Sequence, residues 1–314
     1  MAAPFDWTAD VPSGVLKNHS LSKKIRREAI ARTEILPFVK TEPGFGKGKG
    51  ETHTITRVLQ LDEPADASLV ETDPIPEDEL TINKVDITVE EIGRQVPFTD
   101  FAKQLLHFDL ESTVQSALVD QQKLVLDTLA AGAYKATPLK YTPLTASTGE
   151  FVSDDFDSAS GSPVLEFHLG EIHRRLYDTQ KAPKIGSHYI GIFNGVAIDG
   201  LLNDESFREL FKYTTPEKAY KNEVGMVRSI RVIETNHSEA LGVLGDGELG
   251  EGIVFGEDAA VMVEVLAPEL RKKISSEFGR DPSVAWVGIL GFGLVWDTFG
   301  LTRVVHVGED TEAS

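Results

Sequence analysis

"LTINKVDITVEEIGRQVPFTD", residues 80–100, alternates apolar and polar side chains and is rich in β-branched residues, the pattern of an extended strand. "THTITRVLQL", residues 52–61, has the same period of two. Between them "DEPADASLVETDPIPEDE" (62–79) is proline-bearing and too acidic to bury. Two strands of about ten residues, each about 33 Å long, joined in this way form a long hairpin. A two-stranded hairpin is marginal by itself, so this one needs a partner surface in its own chain or in another.

Around the hairpin the period changes to that of helices. Residues 99–134 read as one long helix capped by Thr99 or Asp100. Leu106, Leu110, Val114, Ala117 or Leu118, Gln121, Leu124 or Val125, and Thr128 or Leu129 mark one face. "TPLKYTPLTASTGEFVSDDFDSASGSP" (137–163) reads as a loop-rich connection. A second helix is expected from a Ser162 cap with Pro163 in its first turn, burying Leu165, Leu169, Ile172 and Leu176. "SHYIGIFNG" (187–195) reads as a buried strand and "DGLLNDESFRELFKYT" (199–214) as a further helix. "NEVGMVRSIRVIET" (222–235) reads as two short strands broken at Gly225, with Arg228 and Arg231 on opposite faces of one strand. One arginine then pairs within the subunit while the other reaches a neighbour, or both are solvated. "SVAWVGILGFGLVWDTFGLTRVVHV" (283–307) suits strands returning to the core.

The first 50 residues carry nine Lys/Arg against five Asp/Glu, whereas the remaining 264 carry 22 against 45, within a net charge of −19. Such asymmetry suggests a basic arm that meets an acidic partner, through Lys23, Lys24, Arg26 and Arg27, and a soluble acidic body. A solvated tail with no specific partner fits the same composition. The arm has Leu21, Ile25, Ala29 and Arg32 at helical spacing, stops before Pro37, and meets a glycine-rich hinge at residues 44–50. The acidic bulk argues against a dedicated nucleic-acid reader.

The 314 residues and 41% hydrophobic content suit a packed globule of one large or two ordinary domains. No apolar run is long enough to span a membrane, and the N-terminus has neither the basic start nor the apolar core of a secretory signal. The absence of cysteine removes disulfides, thiolate metal sites and thiol catalysis, and suits a reducing cytoplasm. "GVLGDGELGEG" (242–252) lacks the Lys-Ser/Thr of a phosphate loop and reads as a solvated acidic turn. Its Asp246 and Glu248 belong to no calcium loop. His168 and His173 stand five apart, where four would share a helix face. Ser162, Ser187 and Ser206 lie in no nucleophile elbow. No catalytic, cofactor-binding or metal-binding residue is therefore expected, and no cofactor.

Five stretches in order carry a resemblance: "EEIGRQVPFTDFAKQL" (90–105), "KLVLDTLAAGAY" (123–134), "APKIGSHYIGIFNGVAIDGLLND" (182–204), "NEVGMVRSIRVIET" (222–235) and "VFGEDAAV" (254–261). Over about residues 85–308 the chain resembles the major capsid proteins of tailed phages with the Hong Kong 97-type fold, in the branch typified by coliphage N-four. One departure is "IFNG" at 192–195, where that branch has a His-Pro pair. The resemblance implies an α+β fold of five spans. These are an N-terminal arm (1–50), an E-loop hairpin with P-domain strands (51–98), a spine helix and connection of the P-domain (99–161), an A-domain (162–283), and returning P-domain strands with a C-terminal tail (284–314). It further implies a non-enzymatic protein that assembles with itself as hexamers and pentamers into an icosahedral shell around double-stranded DNA, held non-specifically at the inner surface. Scaffolding, portal and decoration proteins are implied partners, with assembly in the host cytoplasm, residence in the virion and no membrane. A cellular encapsulin-like shell of the same fold, and an α/β enzyme with an unrecognised acidic active site, are the competing readings.

Overall fold

A computed structural model of the chain describes residues 31–42, 46–61, 63–64, 68, 75, 77–100, 104, 109–211, 223–244, 249–273 and 282–310. The arm cations Lys23, Lys24, Arg26 and Arg27 lie outside the described residues, as do 101–103 and 105–108 at the expected start of the long helix.

That helix, α1 (Leu110–Lys135), is capped by Asp109, whose carboxylate accepts from the Glu111 and Ser112 amides, rather than by Thr99 or Asp100. Its 26 residues at 1.5 Å each span about 39 Å, long enough to serve two sheets. Towards its start Val114 and Leu118 pack on Val284 and Trp286 of a four-stranded sheet. Towards its end Ala130, Ala131 and Tyr134 pack on Ile190, Ile192, Ile253 and Phe255 of a seven-stranded one. The expected face holds at Val114 and Leu118, but Gln121 and Leu129 are exposed and the buried stripe continues through Asp127. Two alanines and a carboxylate carry little hydrophobic signal, so sequence alone misassigned this half.

The four-stranded sheet is ordered β1 (Lys40–Thr41), β13 (Ala260–Lys272), β14 (Ser283–Leu294) and β4 (Glu90–Pro97). It therefore joins stretches from the arm, the 51–98 span, the 162–283 span and the C-terminal span. β2 (Thr52–Val58) and β3 (Ile82–Thr88) form the hairpin, seven residues a strand rather than ten. Its root is docked on its own chain: Ile55 and Ile87 pack with Val261, Val263 and Val295. Glycines make that approach possible. A Cβ on Gly293 would sit 2.8 Å from the Ile87 side chain, and one on Gly291 would strike the Thr88 carbonyl.

The seven-stranded sheet runs β6 (Thr148–Ser153), β5 (Leu139–Thr145), β15 (Val304–Val307), β12 (Gly252–Phe255), β7 (Tyr189–Asn194), β9 (Ile230–Thr235), β8 (Glu223–Val227). Its central strands are buried on both faces. Tyr189 and Phe193 meet one cluster with α2 (Glu166–Arg174) and α3 (Gly195–Asn203), while Ile190 and Ile192 meet the α1 side. Covering both faces turns an alternating strand into an unbroken apolar run, which is how "YIGIF" reads.

Several local expectations are corrected. Residues 137–163 contain the β5–β6 hairpin rather than a plain connection, because Leu139 and Tyr141 are fully buried despite flanking prolines. α2 begins at Glu166, not at Ser162. Its first amides are met by His168 Nδ1 (Leu165 N, 3.0 Å) and by Asp204 (Glu166 N, 2.9 Å). The helix expected over 199–214 is two, α3 and α4 (Glu205–Phe211), broken at Asp204, whose carboxylate also caps Ser206. Asn194 of "IFNG" caps α3 at Val196 and donates to the Leu241 carbonyl. The glycine-rich turn at 242–252 is not solvated throughout. Val243–Leu244 and Leu249–Gly250 pair as β10 and β11, and Leu249, Gly250, Glu251 and Gly252 are buried.

Candidate assembly elements and buried charge clusters

The hairpin has two unlike ends. Near the loop-side end of the strand pair, one residue before Val58, Arg57, 7% exposed in its side chain, makes an ion pair with Asp297 (2.6 Å). It also donates to the Val295 carbonyl (3.0 Å) and to Thr298 (3.2 Å). Its guanidinium lies 5.8 Å from the Trp296 ring, which Arg303 covers from 4.6 Å. Arg57 faces inward because it shares the period of Ile55, and an arginine at an inward position is the sequence signal that was missed. Past Arg57 the hairpin becomes exposed, and its residues line a cleft with Thr179, Lys181 and Leu301. Val58 and Ile82 are direct cross-strand partners, and both are more than half exposed. Leu61, Ile75 and Leu80 beyond them are exposed as well. Residues 59–81 hold eight carboxylates and no lysine or arginine.

The two arginines do not share a strand. Arg228 and Ser229 form the two-residue loop joining β8 to β9, with φ of 42° and 67°. Positive φ at both central positions is the type I′ hairpin geometry that Asn-Gly normally announces, so "RS" gave no warning of it. Gly225 is a buried residue inside β8, beside a register shift, and not the break between strands. Arg228 Nε pairs with Glu166 Oε1 at 3.2 Å and its guanidinium lies over Gly170. Arg231 is half-buried on β9, in register with Ile190 and Met226. The structure thus gives Arg228 a partner within the chain.

Two buried charge clusters were invisible in sequence. Asp127, wholly buried in α1, accepts from the Ile35 amide (3.0 Å) and the Leu36 amide (2.9 Å), and meets His237 Nδ1 at 3.1 Å. It thereby fixes the chain where the arm joins the body, beside the Tyr134 bond to the Phe38 carbonyl and the β1–β13 pairing. In the second cluster Glu251 receives Lys135 Nζ (2.6 Å), the Gly242 amide (2.8 Å) and His306 Nε2 (3.1 Å). Lys140 Nζ stands 3.2 Å from His306 Nδ1. Burial raises the Glu251 carboxyl, but its hydrogen bonds from His306, Lys135 and Gly242 outweigh that and hold it down at about 2. Burial is also the main cause that lowers His306 to about 4 and depresses Lys140. His168 uses both ring nitrogens, accepting at Nδ1 and bonding the Thr145 carbonyl through Nε2 (2.9 Å), which makes it a structural residue.

No family model matches the sequence, and no curated protein matches it. The backbone does find likenesses. Over 95% of this chain it superposes on 97% of a chain from the acid-stable capsid of Helicobacter pylori bacteriophage KHP30, with a TM-score of 0.69 at 12% identity. A chain from the capsid of cyanophage P-SCSP1u matches at 0.67 and 11% identity, covering 95% and 94% of the two chains. One from Mycobacterium phage Che8 matches at 0.64 and 16%, covering 96% and 99%. The fold is that of phage capsid chains. The likeness covers 95–96% of the chain, and the fold is α+β as the resemblance implied. At such low identity it is a likeness of backbone course rather than of side chains.

Proposed function

We propose that the chain is a major capsid (head) protein that assembles as hexamers and pentamers into the icosahedral shell enclosing the double-stranded DNA of a tailed phage. The observation that carries this reading is the fold, shared over 95% of this chain with chains from two phage capsids. In the Hong Kong 97-type scheme, and in the branch of coliphage N-four, the β2–β3 hairpin is the E-loop. α1 is then the spine helix of the P-domain, and β7, β8, β9 and β12 of the seven-stranded sheet belong to the A-domain (162–283).

A docked root with an exposed apolar end suits a hairpin that laps over an adjacent copy. Val58 and Ile82 meet that neighbour, and Arg57 sets the angle of approach. The arm, through Lys23, Lys24, Arg26 and Arg27, meets acidic surface of an adjacent copy or the packaged DNA. Scaffolding, portal and decoration proteins are further partners, and the protein resides in the virion after assembly in the host cytoplasm. The role is structural and needs no cofactor, metal or catalytic residue.

The test is electron microscopy and mass measurement of the purified full-length protein, with and without chelator. Shells or capsomers are expected in both. A stable monomer that binds a small molecule in a defined cleft would overturn the reading in favour of an enzyme. Shells loaded with an enzyme cargo would favour an encapsulin.

A further inference from the structure

The seven-stranded sheet has a weak seam. β15 and β5 run parallel and are in register only at His306 with Lys140 and Val307 with Tyr141. Every other neighbouring pair in that sheet has at least four partners in register. One of the two seam pairs is thus a histidine against a lysine, and both side chains are buried.

The protonation state at the seam follows from donor chemistry. An ammonium has only donors, so Lys140 Nζ at 3.2 Å requires a lone pair on His306 Nδ1. Nε2 then carries the hydrogen and donates to Glu251 Oε1 at 3.1 Å. Lys140 Nζ also donates to the Lys135 carbonyl at 2.5 Å, at the end of α1, and Lys135 itself binds Glu251. One chain of contacts therefore ties α1, β5, the residue leading into β12, and β15. The charged groups acting on His306 are Lys140, Lys135 and Glu251, with Asp154 and Asp155 acting on Lys140 from beyond β6. The Phe156 ring closes the site against both His306 and Lys140. Glu309 turns instead to the Ser160 amide.

We propose that this Lys135–Glu251–His306–Lys140 chain is an acid-triggered latch: one further proton taken up at His306 Nδ1 opens the sheet between β15 and β5. The proton sets an N–H against an ammonium, so a bond becomes a repulsion, and three cations then face one buried carboxylate. Burying such an excess is costly, and the seam has only one other register pair to resist it. The β5–β6 hairpin loosens first, while β12, β7 and β9 keep their own ladders. The histidine's depression to about 4 sets the acidity at which this happens.

The experiment is hydrogen exchange of the full-length protein, read by peptide mass spectrometry at pH 6.5 and at pH 4 after correction for intrinsic rates. Protection over residues 139–153 is expected to fall by about tenfold or more, while 189–194 and 230–235 hold. His306→Gln offers an acceptor and a donor but no titration, and is expected to abolish the fall. Lys140→Met, which removes the opposing ammonium, is expected to abolish it too and provides the readout if the glutamine variant does not fold. An undiminished fall in whichever variant folds, or a uniform loss across the whole sheet in the unaltered protein, overturns the latch.

Discussion

At the scale of single residues, the body of this protein rests on charges that the sequence hides in its elements. Asp127 satisfies two backbone amides and a histidine in a site without water access. Each buried donor left without an acceptor costs about 1–3 kcal/mol. Asp127→Ala is therefore expected to lower unfolding free energy by about 3 kcal/mol or more in denaturant titrations. Asp127→Asn keeps an acceptor for Ile35 and Leu36, and its amide can donate to His237 in the other tautomer, so a loss under half as large is expected. Equal losses would mean that charge, not hydrogen bonding, fixes the arm junction. The Glu251 cluster sets the acid response. The depressed histidine contributes stability that is complete above 6.5 and lost as pH falls through about 4. The depressed carboxyl contributes stability complete above 4.5 and lost as pH falls through about 2. Stability measured against pH should accordingly begin to decline below 6.5 and steepen below 4.5. A curve flat down to 4 would contradict the His306 geometry.

Among the elements, the β2–β3 hairpin shows how a strand pair too small to stand alone is stabilised along most of its paired length. Ile55, Ile87 and Arg57 fasten the paired strands, and the glycines of β14 let them lie close. Gly291→Ala directs a Cβ at a backbone carbonyl, whereas Gly293→Ala meets a side chain able to move. Overpacking of this kind costs about 1–3 kcal/mol, and the Gly291 variant should be the more damaging of the two in thermal unfolding. In the unassembled chain, hydrogen exchange is expected to find 52–57 and 83–88 protected, with the Val58 and Ile82 end open. Assembly should protect that end, and in the lone chain Arg57→Ala should deprotect the strand residues around Arg57 and Asn83. Equal protection of both ends in the lone chain would remove the reason to give the hairpin a partner.

For the whole molecule, the proposed shell multiplies contacts that are individually small. An exposed ion pair is worth about 0–1 kcal/mol, but every subunit of a closed assembly makes the same contacts at once. Replacing Lys23, Lys24, Arg26 and Arg27 together by Gln is expected to reduce shell yield at low salt. The gap to the unaltered protein should narrow as salt rises, since screening weakens the parent equally. Val58→Lys with Ile82→Glu, an opposite-charge cross-strand pair, should leave monomer stability within about 0.5 kcal/mol, as surface changes do, yet reduce assembly at every salt concentration. Sedimentation of both variants separates the two effects. Yields unchanged in both would leave the arm a passive tail and the hairpin end without a neighbour.

Features that depend on near neighbours along the chain were legible in the residues alone. Period-two runs announced β2, β3 and β4, a short unbroken apolar run announced β7, helical spacing announced α1 and α2, and the absence of cysteine together with the charge asymmetry was plain from counting. An ordered series of weak motifs pointed to the capsid fold without any one of them carrying chemistry. Tertiary structure alone decided which strands share a sheet, because β15 lies beside β5, 166 residues away at His306 and Lys140. It also decided the fate of polar residues. Asp127, Arg57 and Glu251 look like ordinary exposed charges in sequence, and Arg228 like a strand residue. Whether a charge is solvated or buried with partners depends on groups brought together from distant parts of the chain, and no local pattern records that meeting.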